Sequence, residues 1–216
     1  FVFSMVFKAR WNSGSDSKTE FALVLFAGLM VFNLFSECVS RAPNLIISNV
    51  NYVKKVVFPL EILPIVTLCS AFFHACISFF VWLVFYFVFF GVPHTTLLWL
   101  PVVIFPFLLF TLGISWMLAS LGTYLRDVGQ IIGLLMTVLL FLSPIFYPVS
   151  ALPERFQSLM MLNPLTPIVE QVRDILMWGK DPDWSLLALT WAVASLIAIF
   201  GFAWFQKTRK GFADVL

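Results

Sequence analysis

Charged side chains are scarce in this sequence. Asp, Glu, Lys and Arg make up 11% of its 216 residues, and apolar residues make up 61%. Soluble domains contain about 45–50% apolar residues, so this composition excludes an ordinary soluble protein. No Asp, Glu, Lys or Arg occurs between Glu61 and Arg126. Because a bilayer-crossing helix needs about 20 apolar residues, residues 62–125 predict two crossings. The turn between them is predicted at 91–96, "GVPHTT", where breakers and polar groups cluster.

Cysteine is scarce as well. Cys38, Cys69 and Cys76 are an odd number and lie in or beside apolar segments, so no disulfide framework is indicated. Cys69 and Cys76 are seven residues apart, on one helical face. A metal pair is one interpretation of this spacing, and buried small hydrophobic residues are the favoured one. The net charge of +2 is too small to indicate a nucleic-acid partner.

Catalytic and nucleotide-binding motifs are absent. The sequence contains no G-x-x-x-x-G-K-[ST], H-E-x-x-H or G-x-S-x-G. Ion-coupled transport usually needs ionisable groups at mid-membrane, and the predicted crossings contain none apart from His74. Ser70, His74 and Ser78 share a helical face. One helix does not aim such side chains at one another, so an intramembrane enzyme is the weakest interpretation, and His74 and His94 are taken as packed or solvated. We predict no catalytic residue, cofactor or metal in this chain, and active transport would require a separate motor.

The apolar stretches predict an all-α integral membrane protein with six transmembrane helices in a single domain, 1–216. The first helix is expected to be incomplete, because the sequence opens with "FVFSMVF" and has no initiator Met. The predicted crossings are 1–7 (partial), 21–40, 62–90, 98–124, 129–149 and 184–206. Short amphipathic helices are expected in the connecting segments 41–58 and 150–183.

Basic residues orient these helices, because short cytoplasmic loops carry an excess of Lys and Arg. The two sides differ little in number of basic residues. On the side of the chain ends, however, they sit in short segments directly beside crossings. We therefore place both ends and segment 41–58 in the cytoplasm, and segment 150–183 outside.

The cytoplasmic segment contains Lys54 and Lys55, and Glu61 precedes the next crossing, with Pro59 and Pro64 bending the re-entry. Lipid anchoring by the two lysines is one interpretation. The segment is longer than a turn needs, however, and it mixes apolar residues with asparagines. This pattern suits a short amphipathic helix at the membrane surface or docked on a partner.

The second inner connection is very short. Arg126 and Asp127 are adjacent there and point in different directions on a helix, so they are free to meet another chain. Gly129 and Gly133 follow as a small-xxx-small pair. This pair permits close helix approach, either within the chain or between two copies.

The outer segment is too polar to cross the membrane again and too apolar to stay free in water. Thr166 and Pro167 predict the N-cap and first residue of a short helix, and Gly179 predicts its end. Glu170 and Arg173 are spaced for an exposed i,i+3 ion pair. The stretch "PERFQSLMML" predicts a second short helix. The short helix predicted between Thr166 and Gly179 has an apolar stripe that comprises Ile168, Val172, Ile175 and Leu176.

Aromatic residues are abundant, with 26 Phe, 8 Trp and 4 Tyr. Many suit the interfacial belt and lipid-facing packing. The third crossing carries rings around its whole circumference, so some must face protein or a pore, where flat rings would suit the C–H faces of sugars. The candidates for a channel lining are Phe72, Phe79, Phe80 and Tyr86, with packing against lipid as the alternative.

Five stretches of the sequence resemble one family. They are "RAPNLIISNVNYVKKVVFPLEILP", "YLRDVGQIIG", "LSPIFYPVSALPERFQ", "NPLTPIVEQVRDIL" and "KTRKGFADVL". In this order they resemble the permease subunit of bacterial polysaccharide-exporting ATP-binding-cassette transporters. The sequence is most similar to O-antigen exporters, with capsule and teichoic-acid permeases as near relatives. Relative to this family, we expect an amino-terminal amphipathic helix and most of the first crossing to be missing.

The resemblance implies a multi-pass homodimer in the bacterial inner membrane, in contact with lipid, that encloses a channel for a lipid-linked polysaccharide. Two copies of a separate nucleotide-binding subunit would hold ATP and Mg²⁺. The implied ATPase-coupling interface comprises Asn49, Asn51, Tyr52, Lys54, Lys55, Arg126 and Asp127. The implied periplasmic gate includes Pro144, Phe146, Tyr147, Pro148, Glu170 and Arg173. The alternatives are an exporter of a capsule or teichoic-acid polymer, a lipid or a drug, and, less favoured, an intramembrane enzyme.

Overall fold

The computed structural model of the chain describes residues 18–54, 58–149 and 163–216, together with 153, 155, 157 and 160. The described residues form helices and turns without any β-strand, which confirms the predicted all-α class for this part of the chain. The α-helices are α1 (Lys18–Leu45), α2 (Val50–Lys54), α3 (Ile62–Phe90), α4 (Leu100–Tyr124), α5 (Val128–Leu142), α6 (Leu165–Arg173), α7 (Trp184–Thr208) and α8 (Phe212–Val215). Short 3₁₀ turns precede α2, α4 and α8 at Ile47–Asn49, Thr95–Trp99 and Arg209–Gly211, and a π-helical turn, Asp174–Trp178, continues α6.

Four of the described helical segments are long and apolar enough to cross a membrane: Thr19–Leu45, Ile62–Phe90, Thr95–Tyr124 and Trp184–Val215. The charge-free run breaks after α3 at Gly91, whose φ of +85° is readily adopted only by glycine. α5 has 15 residues and is about 22 Å long at 1.5 Å per residue, against about 30 Å for a hydrocarbon core. The predicted crossing 1–7 lies outside the described residues, so the count of six stays a prediction.

α1 continues past residue 40 to Leu45, so the first residues of the predicted connecting segment are helical. Nη2 of Arg41 lies 3.0 Å from Oε1 of Glu37, one helical turn earlier. Such an i,i+4 pair stabilises a helix and accounts for its extension through Arg41. Pro43 lies within the last turn of this helix.

The chain divides into two compact units. The described residues of the first unit fall within 1–33, 75–103 and 138–186. Its interior contains Trp82, which is fully buried and donates from Nε1 to the carbonyl of Leu23 over 3.0 Å. Thr96 donates from its hydroxyl to the carbonyl of Ile175 over 2.9 Å. The predicted apolar stripe of α6 and the π-helical turn, Ile168, Val172, Ile175 and Leu176, is buried in this unit as predicted.

The second unit comprises residues 34–74, 104–137 and 187–216. Its apolar cluster contains Ile46, Leu60, Leu63, Trp116, Ala119, Phe205 and Phe212. α4 and α7 approach closely in this unit, since a Cβ at Gly201 would lie 2.2 Å from the carbonyl oxygen of Gly113. A Cβ at Gly113 would likewise meet the backbone of Ile197, so glycine at both positions permits the close approach, as in small-residue contacts between membrane helices.

The three cysteines are free thiols. Cys38 is buried, but Cys69 and Cys76 are exposed on α3. The expectation of buried small hydrophobic residues is wrong for these two, because no other described helix of the chain covers that face of α3.

Candidate functional site

The short helix α2 is held to the second unit by its apolar residues. Ile46, just before it, is fully buried, and Val53 packs against the cluster that contains Phe205 and Phe212. At the end of α1, Nδ2 of Asn49 donates to the carbonyl of Leu45 over 2.8 Å. This carbonyl belongs to the last turn of a helix, where no intrahelical donor remains. The bond therefore fixes the angle at which α2 leaves α1.

The other side of α2 is polar and exposed. Asn51, Tyr52 and Lys54 are all exposed, whereas Asn49 is half-buried. The ring of Tyr52 stacks on Phe58 with 4.8 Å between ring centroids, which links α2 to the re-entry toward α3. Lys55, the other predicted coupling lysine, lies outside the described residues. The described residues of α2 thus present amide, phenol and ammonium groups on a helix that is packed against the second unit.

The carboxyl-terminal residues complete this surface, and sequence reasoning did not anticipate their contribution. α8 packs on α2, and Phe212 is fully buried in the shared cluster. Nη1 of Arg209 lies 2.8 Å from Oε2 of Glu61, and Nε1 of Trp116 donates to the backbone carbonyl of Glu61 over 3.0 Å. The chain end and the re-entry before α3 are therefore fastened together.

The environment of Glu61 favours its charged form. Burial alone would raise the pKa of Glu61, but hydrogen bonds from the backbone and Gln206, together with the Arg209 guanidinium, outweigh it and hold the pKa below its ordinary value. Glu61 is thus ionised at neutral pH. Its role as partner of Arg209 could not be inferred from sequence, because the two residues are 148 positions apart.

Arg126 and Asp127 lie in the turn between α4 and α5, in the same unit as α2, and both are exposed. The carbonyl of Asp127 accepts from the backbone N–H groups of Gln130 and Ile131, which begins α5. The side chains are therefore available to another chain, but no contact joins them to α2 among the described residues. Their role in coupling stays a prediction.

The predicted gate residues lie in the first unit, where Arg173 binds three backbone carbonyls. Its Nε donates to Val24 over 3.1 Å, its Nη1 to Pro144, and its Nη2 to Ile145 over 2.8 Å. Nη1 also lies 3.5 Å from Oε1 of Glu170, as the spacing predicted. The prediction that this pair is exposed is wrong for Arg173, however, because its side chain is only 1% exposed. A planar guanidinium with five N–H donors can satisfy several fixed acceptors in a small volume, which an ammonium cannot.

Burial dominates the electrostatics of this pair. It lowers the pKa of Arg173 to about 10, against the opposing effect of the Glu170 charge and hydrogen bond. It also raises the pKa of Glu170, and the nearby Arg173 charge only partly offsets this. Arg173 remains charged at neutral pH, so its burial depends on the three carbonyls and on Glu170.

The remaining gate residues surround the same turn. Tyr147 donates from its hydroxyl to the carbonyl of Phe141 over 3.0 Å, and Phe146 stacks on Phe141 with 5.7 Å between centroids. Pro148 is buried. Nδ2 of Asn163 donates to the hydroxyl of Ser143 over 2.9 Å. These bonds hold the turn after α5 against the start of α6.

The ends of the outer helix only partly match the prediction. Gly179 ends it in the left-handed conformation with φ +61°, as predicted. The predicted N-cap at Thr166 is wrong, because the helix begins at Leu165 and Oδ1 of Asn163 accepts from the backbone N–H of Leu165. An Asn two residues before the first N–H group supplies the acceptor that a helix start needs. The second helix predicted at "PERFQSLMML" falls mostly outside the described residues.

The four aromatic candidates for a channel lining have different surroundings. Phe72 and Phe80 are exposed, and Phe79 is half-buried. Tyr86 is only 4% exposed, and its ring stacks on Trp82 with 4.9 Å between centroids. In the single chain, Tyr86 is therefore an interior residue of the first unit, and the lining role of all four stays a prediction.

A polar pair within the helices was missed from the sequence. Nδ1 of His74 lies 3.1 Å from Oε2 of Glu37, although 37 positions separate them. The expectation that the crossings contain no ionisable group apart from His74 is wrong, since Glu37 lies within α1, inside the predicted crossing 21–40, and contacts His74. No three His, Cys, Asp or Glu side chains in the described part of the chain come together in a way that could hold a metal ion.

The apolar helices, with polar residues concentrated in α2, the chain end and the outer turn, define a multi-pass membrane protein. The sequence profile of the ABC-2 type transporter family matches residues 1–177, and the chain belongs to this family. Permeases of this family are transport subunits that normally work with ATPase partner subunits. The predicted family resemblance is thus confirmed.

Curated relatives agree with the family assignment. Over 217 aligned residues, covering all of this chain and 81% of each relative, the chain is 25% and 24% identical to two proteins of Klebsiella pneumoniae named O-antigen export system permease protein RfbA. It is 28% identical over 197 residues to the protein of the same name from Myxococcus xanthus, with 90% of this chain and 76% of the relative covered. The chain is therefore an ABC-2 permease homologous to O-antigen export permeases.

Proposed function

We propose that this chain is the channel-forming permease of an ATP-driven exporter that moves lipid-linked polysaccharide of the O-antigen type across the bacterial inner membrane. The observation that carries the proposal is similarity along the whole chain to permeases named for O-antigen export. Two copies of the chain would form the channel. Two copies of a partner ATPase would bind ATP and Mg²⁺, since this sequence contains no phosphate-cradling loop of its own.

The exposed side of α2 is the proposed site at which this ATPase delivers mechanical work. Asn51, Tyr52 and Lys54 offer hydrogen bonds and positive charge to a partner surface. The opposite side of α2 joins the cluster that contains Trp116 of α4 and Phe205 of α7. Closely packed interiors transmit displacement rather than absorb it. A push on α2 would therefore move the parts of α4 and α7 that belong to the second unit.

The outer turn is the proposed periplasmic gate. The contacts of Arg173, Tyr147 and Asn163 hold this turn by hydrogen bonds, beside the buried side chain of Ile145 and the ring of Phe146 stacked on Phe141. Hydrogen bonds to backbone carbonyls can be exchanged with water at a net cost of about 1 kcal/mol each. We propose that opening of the channel rearranges the bonds around Tyr147, while Arg173 keeps α6 attached.

The test is removal of this permease from a cell that has no redundant exporter. Long-chain glycan should disappear from the cell surface while lipid-linked glycan accumulates on the cytoplasmic side, and both should recover when the chain is restored. The control is restoration with the Lys180→Met variant, which changes only an exposed pair with Asp174 in the outer segment. Normal surface glycan without the permease would refute the assignment. A specific loss of lipid or drug efflux would then favour a small-solute exporter.

A further inference from the structure

α1 has a polar open side in the second unit. From Leu34 to Ala42, the apolar residues Leu34, Phe35, Cys38, Val39 and Ala42 are all buried. The residues that are not buried are Ser36, Glu37, Ser40 and Arg41, and Asn44 continues them one turn later. Positions spaced by three and four residues share one face of a helix. We call this set the polar stripe: Ser36, Glu37, Ser40, Arg41 and Asn44.

Ion-pair contacts order the middle of the polar stripe. Glu37 lies 3.0 Å from Arg41 through Oε1 and 3.1 Å from His74 of α3 through Oε2. The side chains of Arg41 and His74 are nevertheless 57% and 56% exposed, against 22% for Glu37. The cluster is therefore ordered by contacts within the chain, and more than half of each of the Arg41 and His74 side chains is exposed.

Lipid is an unsuitable neighbour for this side of α1. Glu37 lies within α1, about two turns before its end at Leu45, and ionisable residues within membrane helices face the interior of a helix bundle or a water-filled cavity. The exposed part of α3 in the same unit is apolar instead of polar: Val66 is 58% exposed and Phe73 is 64% exposed. In the second unit, α1 thus presents a side suited to water, whereas α3 presents a side suited to lipid.

We propose that the polar stripe is the water-exposed wall of the transport path in the second unit, and that Arg41 and His74, ordered by Glu37, form hydrogen bonds with the hydroxyl groups of a passing sugar chain. This inference rests on the proposed function and adds a polar wall to a path for which the sequence suggested only aromatic lining residues. The guanidinium of Arg41 donates to hydroxyls, and Glu37, whose Oε1 is buried, holds it in place. Because Glu37 and Arg41 neutralise each other, they bind a neutral polymer weakly, which allows it to slide.

The first test measures water access without any transport. Cysteine is placed at Ser36 or Ser40, and, as matched controls on the apolar side of α3, at Phe73 or Val66, in a chain whose Cys38, Cys69 and Cys76 are replaced by alanine. Ser40 and Val66 lie at similar distances from the nearer ends of their helices. Permeabilised membrane vesicles are treated with a positively charged methanethiosulfonate, which reacts with thiolate. A thiol in apolar surroundings has a raised pKa. Each unit by which the pKa rises lowers the fraction of thiolate about tenfold.

We expect the Ser36 and Ser40 cysteines to react at least about tenfold faster than those at Phe73 and Val66. Equal rates would overturn the inference, because the stripe would then be sealed from water. Oxidative cross-linking between Ser40 cysteines of two copies at high yield would also overturn it, since the stripe would then be a contact between copies. Neither result depends on glycan export, so the proposed function would survive such a failure.

The second test blocks the path. Ser40→Trp should abolish surface glycan, with normal membrane level and normal ATPase binding, whereas Val66→Trp should leave export at the wild-type level. Wild-type export in Ser40→Trp, with the protein inserted and bound to its ATPase, would show that the stripe does not line the path.

Discussion

Arg209 bonds to Glu61 across 148 positions of the sequence, with 2.8 Å between Nη1 and Oε2. We expect Glu61→Gln to weaken the attachment of the chain end to the re-entry before α3 and to reduce export without loss of insertion. The double variant Glu61→Arg with Arg209→Glu should recover part of the loss. An exposed pair of this kind contributes about 0.2–1 kcal/mol, so the effect on global stability is small and export is the sensitive measurement.

The same pair predicts an acid dependence. The pKa of Glu61 lies below its ordinary value in the folded protein, so the folded state binds fewer protons than the unfolded state in this range. Ionised Glu61 therefore stabilises the folded protein at a pH above the ordinary pKa of a glutamate. This stabilisation is lost as the pH falls through the lower pKa that Glu61 has in the folded protein. Thermal unfolding of the wild type and Glu61→Gln across this range should converge at low pH. A constant difference between them would contradict the assignment.

Arg173→Met should be among the most destabilising substitutions in the first unit. It leaves the carbonyls of Val24, Pro144 and Ile145 without this donor, and a buried hydrogen-bonding group left unsatisfied costs about 1–3 kcal/mol. Arg173→Lys should recover little, because a single ammonium cannot reach all three acceptors. The measurement is the thermal midpoint in detergent. Lys180→Met, the matched control at an exposed pair, should cost less than about 1 kcal/mol.

Gly201→Ala should separate α4 from α7. The added Cβ would lie 2.2 Å from the carbonyl oxygen of Gly113, and backbone cannot move aside as a flexible side chain can. Overpacking of this kind costs about 1–3 kcal/mol. Gly133→Ala is the control, since its Cβ would meet nothing within 4 Å and alanine favours a helix by up to about 1 kcal/mol. A Gly201→Ala variant as stable as Gly133→Ala would contradict the close contact.

Charge reversal at Lys54 together with Lys55 should uncouple ATP hydrolysis from export. Lys54 is exposed on α2, and reversal removes its attraction to an acidic partner surface without touching the buried cluster beneath. Membrane insertion should be normal, and the control Lys180→Glu in the outer segment should export normally. Full export with the ATPase still bound would show that the two lysines serve only as lipid anchors.

Tyr147→Phe and Phe146→Ala should alter closure of the outer turn by different routes. The first removes the hydroxyl that donates to the carbonyl of Phe141, and the second removes the ring stacked on Phe141. We expect increased ion leak in cells, with Leu142→Ala, an exposed neighbour, as the control. Leak and export both at wild-type levels would end the gating role of these residues.

Local patterns were sufficient to predict most of the helices. The length of a charge-free run and the position of a glycine are properties of neighbouring residues, which is why α3, α4, α7 and the end at Gly179 could be predicted. The start of α6 was misplaced because two polar residues, Asn163 and Thr166, compete for the same cap. Sequence spacing cannot decide that competition.

Contacts between distant segments could not be predicted. Glu61 and Arg173 each looked like an end-of-helix or surface charge, and each has its partner in another helix or turn. Such pairs depend on how helices pack, and a single sequence contains no direct signal of it. The one available hint was the presence of charged residues without an obvious partner nearby in sequence, in a chain with few charges.

The bond from Arg173 to the carbonyl of Val24 spans 149 positions. The ribosome must therefore release nearly the whole outer segment before the first helix acquires this partner. Until then α6 lacks this bond to α1. Attachment of α6 is thus a late event in biogenesis, and a chain interrupted before Arg173 would expose an unfinished first unit to membrane proteases.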